Sequence, residues 1–128
     1  MYKLASVLAL VASPVLSAGL EIDLEGEANG TIVIDLFEET APLHVEQVTA
    51  IAGAGSYDGV VFHRVIDGFM AQTGDVQNGV MGGDLSRAGT GGSEFADIPA
   101  EFSDIPFERG VVGMARAQNP NSANSQFF

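Results

Sequence analysis

Apolar and polar residues alternate near the start of the chain and predict a β-hairpin over residues 20–37. The apolar residues of segment 20–24 alternate with acidic ones, which is typical of a strand with one buried face. Asn29-Gly30 is a tight-turn signal because both residues tolerate positive φ. The β-branched segment 31–37 then predicts the return strand.

A change to helical spacing predicts one amphipathic helix after the hairpin. Thr40 is the expected N-cap, Pro42 is compatible with the first turn, and Gly53 is expected to end the helix. Between these limits, apolar residues recur at the spacing of a helix with one buried face. His44 falls away from that face, so we expect a solvent-exposed histidine there.

The rest of the chain consists of short apolar runs separated by glycine-rich or polar loops. One helix and at least six short strands predict a mainly β fold, either a barrel or a sandwich. The glycine-rich loops lack the Gly-Lys-Ser/Thr ending of a phosphate cradle and the strand and helix of a dinucleotide site. The expected strands cover 60–66, 69–73, 111–115 and a segment that begins at 125, and the loops cover 53–59, 74–93, 97–106 and 119–124.

The composition excludes several classes of binding partner and several kinds of site. The chain has 128 residues, enough for one domain, and a formal net charge of -12. That charge argues against nucleic acid and against anionic membrane surfaces, since both need clustered cations. The absence of cysteine excludes disulfides, thiolate metal sites and a thiol nucleophile.

The first 18 residues have the layout of a secretory signal peptide. Lys3 supplies a positive start, segment 4–16 is apolar, and the small residues Ser17 and Ala18 follow. The sequence therefore predicts a leader over 1–18, a mature domain over 19–128, and a periplasmic or secreted protein without stable membrane insertion after cleavage. The alternative is an uncleaved anchor or a buried N-terminal strand.

Four segments, taken together, resemble one known family. The longest, residues 57–75, contains Phe62-His63-Arg64 and ends in Gln72-Thr73-Gly74-Asp75. The others are Thr40-Ala41-Pro42, Ile98-Pro99-Ala100-Glu101-Phe102, and Gly113-Met114-Ala115 leading to Ser125-Gln126-Phe127-Phe128. Residues 20–128 thereby resemble the cyclophilins, which are peptidyl-prolyl cis–trans isomerases, and look most like exported bacterial members. The resemblance implies an antiparallel β-barrel, eight-stranded in the family and incomplete here, with a capping α-helix.

The resemblance also implies roles for individual residues. Arg64 would be the catalytic donor, and Gln72 would orient it and contact the substrate carbonyl. The other residues would form an apolar proline pocket, a strand edge that pairs with the substrate backbone, and a groove-facing amide. They are Phe69, Met70 and Phe128 for the pocket, Ala115, Arg116 and Ala117 for the edge, and Gln126 for the amide.

The implied chemistry needs neither a metal nor a cofactor, because no covalent bond to substrate forms. An arginine suits it, since a fixed cationic donor can favour the twisted state of an X–Pro amide over the planar states. Proline-containing polypeptides would be the partners, and cyclosporin-type compounds are candidate inhibitors. Two alternatives stay open: a non-catalytic proline-peptide binder or chaperone on the same fold, and a β-barrel ligand carrier.

The spacing of Arg64 and Gln72 sets one geometrical requirement. A two-residue turn at Asp67-Gly68 would pair Arg64 with Ala71 and place Gln72 on the opposite face. A shared site therefore requires a one-residue offset, through a bulge or an odd-length loop, with Gly68 at positive φ.

Four further expectations concern single positions. Phe62 is expected to pack below Arg64, and His63 is expected to be a hydrogen-bonded structural residue rather than a base. Arg116 stands where many cyclophilins have asparagine, which predicts a preference for acidic peptides. The resemblance ends in mid-barrel at Phe128, which predicts that the chain is a fragment of a longer product.

Overall fold

The computed structural model describes residues 18–128. The predicted leader, apart from Ala18, lies outside the described residues. Among the helices of the described part, none is both long enough and apolar enough to cross a bilayer.

The first two strands form the predicted hairpin. β1 covers Gly19–Leu24 and β2 covers Gly30–Asp35, paired antiparallel along their whole length. The predicted turn is wrong, because Gly30 already pairs with the last residue of β1 and the connection is segment 25–29. Positive φ is found at Gly26 and Gly30 and not at Asn29. Asn29 instead closes the loop through its side chain, which accepts from the Gly26 N–H at 3.1 Å.

Helix α1 covers Pro42–Gly53 and ends where the sequence predicts. Its apolar face buries Val48 and Ile51. The predicted Thr40 cap is wrong: the N-cap position is Ala41, which has no capping side chain.

The side chain of Glu101, distant in the sequence, caps the N-terminus of α1. Glu101 accepts hydrogen bonds from the backbone N–H groups of Leu43, at 3.1 Å, and His44, at 2.8 Å. Nδ1 of the His44 ring lies 2.5 Å from the same carboxylate, so this histidine is largely shielded from solvent and hydrogen-bonded. The expectation of a solvent-exposed His44 is therefore wrong, because its partner comes from a segment that helical spacing along α1 cannot reveal.

The remaining strands are shorter than predicted. β3 covers Arg64–Ile66 and β4 covers Met70–Gln72. The segments 111–115 and 125–128 contribute isolated bridges and backbone hydrogen bonds rather than regular strands. A 3-10 turn at Leu85–Arg87 lies within the long predicted loop.

The described chain is thus β-rich and antiparallel with one α-helix, and its barrel is incomplete. This agrees with the predicted fold class. The buried apolar residues are few and come from α1 and the bridged segments: Val48, Ile51, Ile98, Ala123 and Phe127.

Candidate functional site

The β3–β4 hairpin has the offset that a shared site requires. Arg64 lies opposite Gln72, and Ile66 lies opposite Met70. The connection is therefore the three-residue segment 67–69, with Gly68 at φ 71°. Directly opposed residues of an antiparallel pair point to the same face, so Arg64 and Gln72 share a face. The register prediction and the positive φ at Gly68 are both confirmed.

Two further segments extend this face. Thr73 and Phe127 exchange backbone hydrogen bonds, each 3.0 Å long, which places Phe128 opposite Gln72. Gly113 and Phe128 exchange another pair, at 3.0 and 2.9 Å. Arg64, Gln72, Phe128 and Gly113 therefore lie abreast on four adjacent segments, an arrangement that we call the cross-strand row.

Arg64 stands at the open end of the cross-strand row. Its strand is exposed along its length, and no carboxylate of residues 18–128 forms an ion pair with its guanidinium. Neighbouring segments of a sheet are about 4.8 Å apart, so the arginine lies roughly 10 Å from Phe128 across the row. A cation and an apolar ring thus face the same side at a spacing that a short peptide can bridge.

Gln72 is held by another amide. Its Nε2 donates to Gln126 Oε1 at 2.9 Å, and Gln126 Nε2 donates to the Gly91 carbonyl at 2.8 Å. This chain of donors fixes which way both amides point. Gln126 rather than Arg64 is the hydrogen-bond partner that orients Gln72 here.

A buried aspartate anchors the far end of this amide chain. Asp75 is completely buried, and its carboxylate accepts from the backbone N–H groups of Gln77, Asn78, Gly89 and Gly91. Burial by itself would raise the pKa of Asp75, but these hydrogen bonds outweigh it and the pKa is lowered. Asp75 therefore fixes the loop whose Gly91 carbonyl receives Gln126.

Tyr57 contacts the segment 125–128, which carries Gln126 and Phe128. Its hydroxyl donates to the Ser125 carbonyl at 2.7 Å, and its ring packs edge-on against Phe127 with centroids 5.7 Å apart. Burial raises the pKa of Tyr57, so the phenol stays protonated and keeps donating. The segment that carries Gln126 and Phe128 is fixed from both sides.

The predicted apolar pocket is only partly assembled. Met70 lies two residues from Gln72 along β4 and so shares the face of the cross-strand row. Phe128 is half-buried and lies in the row itself. Phe69 belongs to the connecting segment rather than to a strand, and its side chain is 76 % exposed. The alternation that would separate Phe69 from Met70 in a strand does not apply to it.

The predicted substrate edge lines a cavity of about 270 Å³. Its walls include Gln72, Ala115, Arg116, Ala117 and Gln126, together with the backbone of 89–91. The structure therefore brings these predicted residues together, whereas Arg64, Phe69, Met70 and Phe128 lie outside this cavity.

Only part of the edge backbone is open to a peptide. The Ala115 N–H donates to the Gln126 carbonyl at 2.9 Å, and the Ala117 N–H donates to Ser122 Oγ at 2.9 Å. Between them, neither the N–H nor the carbonyl of Arg116 has a hydrogen-bond partner within residues 18–128. Its guanidinium turns back to the carbonyls of Ala117, at 2.9 Å, and Gln118, at 3.2 Å.

His63 and Phe62 precede Arg64, and the sequence predicts structural roles for both. His63 Nδ1 is buried without a hydrogen-bond partner, so the expectation of a hydrogen-bonded histidine is wrong. Its ring instead lies against Gly89, where a Cβ would come within 3.1 Å of it. Phe62 is half-buried, and its packing below Arg64 stays a prediction.

One aromatic residue at the row was missed. The Phe107 ring packs on Phe128 with centroids 5.5 Å apart and an interplanar angle of 44°. Phe107 directly follows the irregular, proline-containing segment 97–106, and neither periodicity nor a motif marks it. Only the register of Gly113 against Phe128 reveals the space that its ring fills.

Residues 18–128 contain no cluster of His, Cys, Asp and Glu that could hold a metal ion. The groups that the described site presents are an exposed guanidinium, a fixed pair of amides and half-buried apolar side chains.

Comparisons with known proteins show which family this chain is similar to. Residues 20–128 match the family model described as "Cyclophilin type peptidyl-prolyl cis-trans isomerase/CLD". A probable peptidyl-prolyl cis-trans isomerase of Brucella suis is 60 % identical over 102 residues, covering 78 % of this chain and 52 % of the relative. A peptidyl-prolyl cis-trans isomerase of Synechococcus elongatus is 40 % identical over 99 residues, covering 77 % and 61 %.

A solved structure extends the similarity to the backbone. A cyclophilin from Hirschia baltica matches with a TM-score of 0.58 and 26 % identity, covering 77 % of this chain and 52 % of that one. The chain spans about half the length of the Brucella relatives and of this structure.

Proposed function

The chain belongs to the cyclophilin family, and on that premise we propose that it catalyses the cis–trans isomerisation of X–Pro peptide bonds, with Arg64 as the catalytic residue. The observation that carries the proposal is the cross-strand row. An exposed arginine and a half-buried phenylalanine face the same side, with Gln72 between them.

The barrier to be lowered is lost amide resonance. Rotation about a peptide C–N bond costs about 18–20 kcal/mol, although cis and trans X–Pro differ by only about 0.5–1 kcal/mol. As the bond twists, the proline nitrogen regains a lone pair and becomes a hydrogen-bond acceptor. A donor that meets this nitrogen only in the twisted state lowers the barrier without tightening the ground state.

The residues of the row divide the work. The guanidinium of Arg64 is always charged and presents several donors, which suits a nitrogen that becomes basic during the reaction. Phe128 and Met70 supply the apolar floor for the proline ring, and Phe69 would reach it from the connecting segment. Gln72, fixed by Gln126, offers a polar group to the substrate carbonyl.

The substrate backbone would add to the open edge at Arg116, the position where the backbone is not engaged by Gln126 or Ser122. An extended peptide that pairs with a free strand edge gains main-chain hydrogen bonds without sequence restriction. The substrates we propose are therefore proline-containing segments of unfolded or folding polypeptides. Cyclosporin-type compounds are candidate inhibitors of the same groove.

A proline-peptide isomerisation assay coupled to a protease tests the activity. Arg64→Ala should lower kcat/KM by about 100-fold, the usual loss when one preorganised donor to a transition state is removed. Arg87→Ala, a cation in the 3-10 turn, is the matched control and should retain full activity. If the wild-type protein binds proline peptides without accelerating their isomerisation, the result would instead favour the non-catalytic binder.

We also propose that the protein is exported, and that its substrates are periplasmic or secreted polypeptides. The leader-like pattern of residues 1–18 and the absence of cysteine support this. Mass spectrometry of the protein purified from the periplasm or medium should show a mature N-terminus near residue 18. Intact protein confined to the cytoplasm would contradict export.

A further inference from the structure

We propose that Phe107 forms a second aromatic wall of the proline site and contacts the substrate directly. This inference rests on the proposed isomerase function and adds a residue to its binding surface. The juxtaposition that carries it is the contact between the Phe107 and Phe128 rings at the apolar end of the cross-strand row.

The position of Phe107 follows from the register. Gly113 and Phe128 exchange two backbone hydrogen bonds, so their Cα atoms are directly opposed and their side-chain positions share one face. Gly113 leaves its own side-chain position empty. A Cβ built there would lie 2.5 Å from Phe107 Cε1 and 3.0 Å from Phe128 Cζ. The Phe107 ring therefore occupies the place in the row that a side chain at 113 would take.

The ring is also accessible to a ligand. Phe107 is 71 % exposed even though one side of it touches Phe128. The two rings meet at 44°, which leaves an apolar corner rather than a flat stack. A proline ring resting on Phe128 would meet Phe107 at this corner and would bury part of both aromatic faces.

The contact should act on binding more than on rotation. Phe107 lies beyond Phe128, at the end of the row opposite to Arg64, and it carries no group that can donate to the proline nitrogen. An apolar wall touches the proline ring equally in the planar and twisted states, which is uniform binding. Its loss should raise the dissociation constant and KM while leaving kcat unchanged.

Peptide titration of the full chain followed by NMR tests this. The probes are an Ala-Ala-Pro-Ala tetrapeptide and its Ala-Ala-Ala-Ala counterpart. Phe107→Ala should weaken binding of the proline peptide by about 5- to 10-fold, the range of a peripheral aromatic contact. Phe107→Tyr keeps the ring and should stay within about twofold of wild type. Binding of the proline-free peptide should not respond.

Phe102→Ala is the matched control, since Phe102 is 78 % exposed and has no aromatic partner within residues 18–128. Equal affinities of Phe107→Ala and Phe102→Ala for the proline peptide, with both variants folded, would overturn the role of Phe107 alone. A wild-type chain that binds neither peptide would overturn the proposed function and this inference with it.

Discussion

The site has a closed side and an open side, and they are built from opposite kinds of interaction. On the closed side, Asp75 and Ser125 are completely buried and polar, and each is satisfied by hydrogen bonds to backbone groups. On the open side, Arg64, Phe69 and Phe107 are exposed. Stability should therefore depend on the first group and activity on the second. Substitutions in the two groups should therefore have separable effects.

The strongest way to break this division is to remove the buried carboxylate. Asp75→Ala removes a fully buried carboxylate and leaves the part-buried bonds from the N–H groups of Gln77, Asn78, Gly89 and Gly91 without their acceptor. We expect the free energy of unfolding to fall by about 3 kcal/mol or more, since each orphaned buried group costs roughly 1–3 kcal/mol. Urea denaturation measures this.

The control for Asp75 is an exposed aspartate with a similar local bond. Asp84 accepts from the Ser86 N–H at 3.0 Å at the start of the 3-10 turn. Asp84→Ala should lower the free energy of unfolding far less than Asp75→Ala, because water replaces the lost acceptor at an exposed site. Equal losses for the two variants would show that burial of Asp75 has no special weight.

Acid should next lower the free energy of unfolding through two carboxylates, Asp75 on the closed side and Glu101 at the start of α1. For Asp75 and for Glu101, burial would raise the pKa, but hydrogen bonds to the carboxylate outweigh it and lower the pKa below the ordinary values of 3.8 and 4.5. The unfolded state then binds protons more tightly than the folded state. The stabilisation is complete above these ordinary values and is lost as the pH falls below them.

Urea denaturation at a series of pH values from neutral down to about 3 checks the acid limb. Glu101→Gln should reduce the slope of the unfolding free energy against pH on this limb, because glutamine does not titrate. The part that Asp75 contributes should remain. An unfolding free energy of the wild type that is independent of pH below 4.5 would contradict the lowered pKa values.

A substitution beside Phe107 tests the open side, and we expect it to affect binding more than stability. Gly113→Ala puts a Cβ into the space of the Phe107 ring, which is exposed and free to swing away. We expect the free energy of unfolding to change by less than about 1 kcal/mol, because the displaced ring is not buried. KM for a proline peptide should rise about threefold as the corner with Phe128 is lost.

Gly53→Ala is the control for Gly113→Ala, since a Cβ at Gly53 meets nothing within 4 Å and its φ is not positive. It should leave KM unchanged. A stability loss of several kcal/mol for Gly113→Ala with normal KM would place Phe107 on the closed side instead.

The smallest expected effect concerns charge at the substrate edge. Arg116 Nη1 donates to two carbonyls of its own loop, which leaves the other guanidinium N–H groups to meet an acidic substrate. We expect acidic peptides to react about two- to threefold faster than basic ones, with an advantage that shrinks as salt increases. Arg116→Ala should abolish this difference and Arg87→Ala should keep it. Equal rates and equal salt dependence for both peptides would reject the preference.

The sequence was most informative where structure is local. Alternation located β1 and β2, and helical spacing located α1. The odd-length loop around Gly68 followed from turn geometry together with a condition that the resemblance implies, namely that Arg64 and Gln72 share a site. Each of these depends on residues within a short stretch, which is what periodicity and turn chemistry describe.

The sequence-based predictions were wrong or incomplete where a side chain contacts a residue from a distant part of the chain. The cap of α1 is Glu101 rather than Thr40, and the same carboxylate contacts the ring of His44, which helical spacing places at the surface. Phe107 was missed for the same reason: its contact with Phe128 depends on how two irregular segments lie together. Such contacts leave no periodic signal in the sequence.

The central claim is that Arg64 acts on the twisted amide rather than on binding. Exchange NMR of a proline peptide at saturating protein measures the cis–trans rate within the complex, separately from affinity. Arg64→Ala is predicted to slow this bound-state exchange by about 100-fold while the dissociation constant changes by less than about threefold. A bound-state rate equal to that of the wild type would contradict the account.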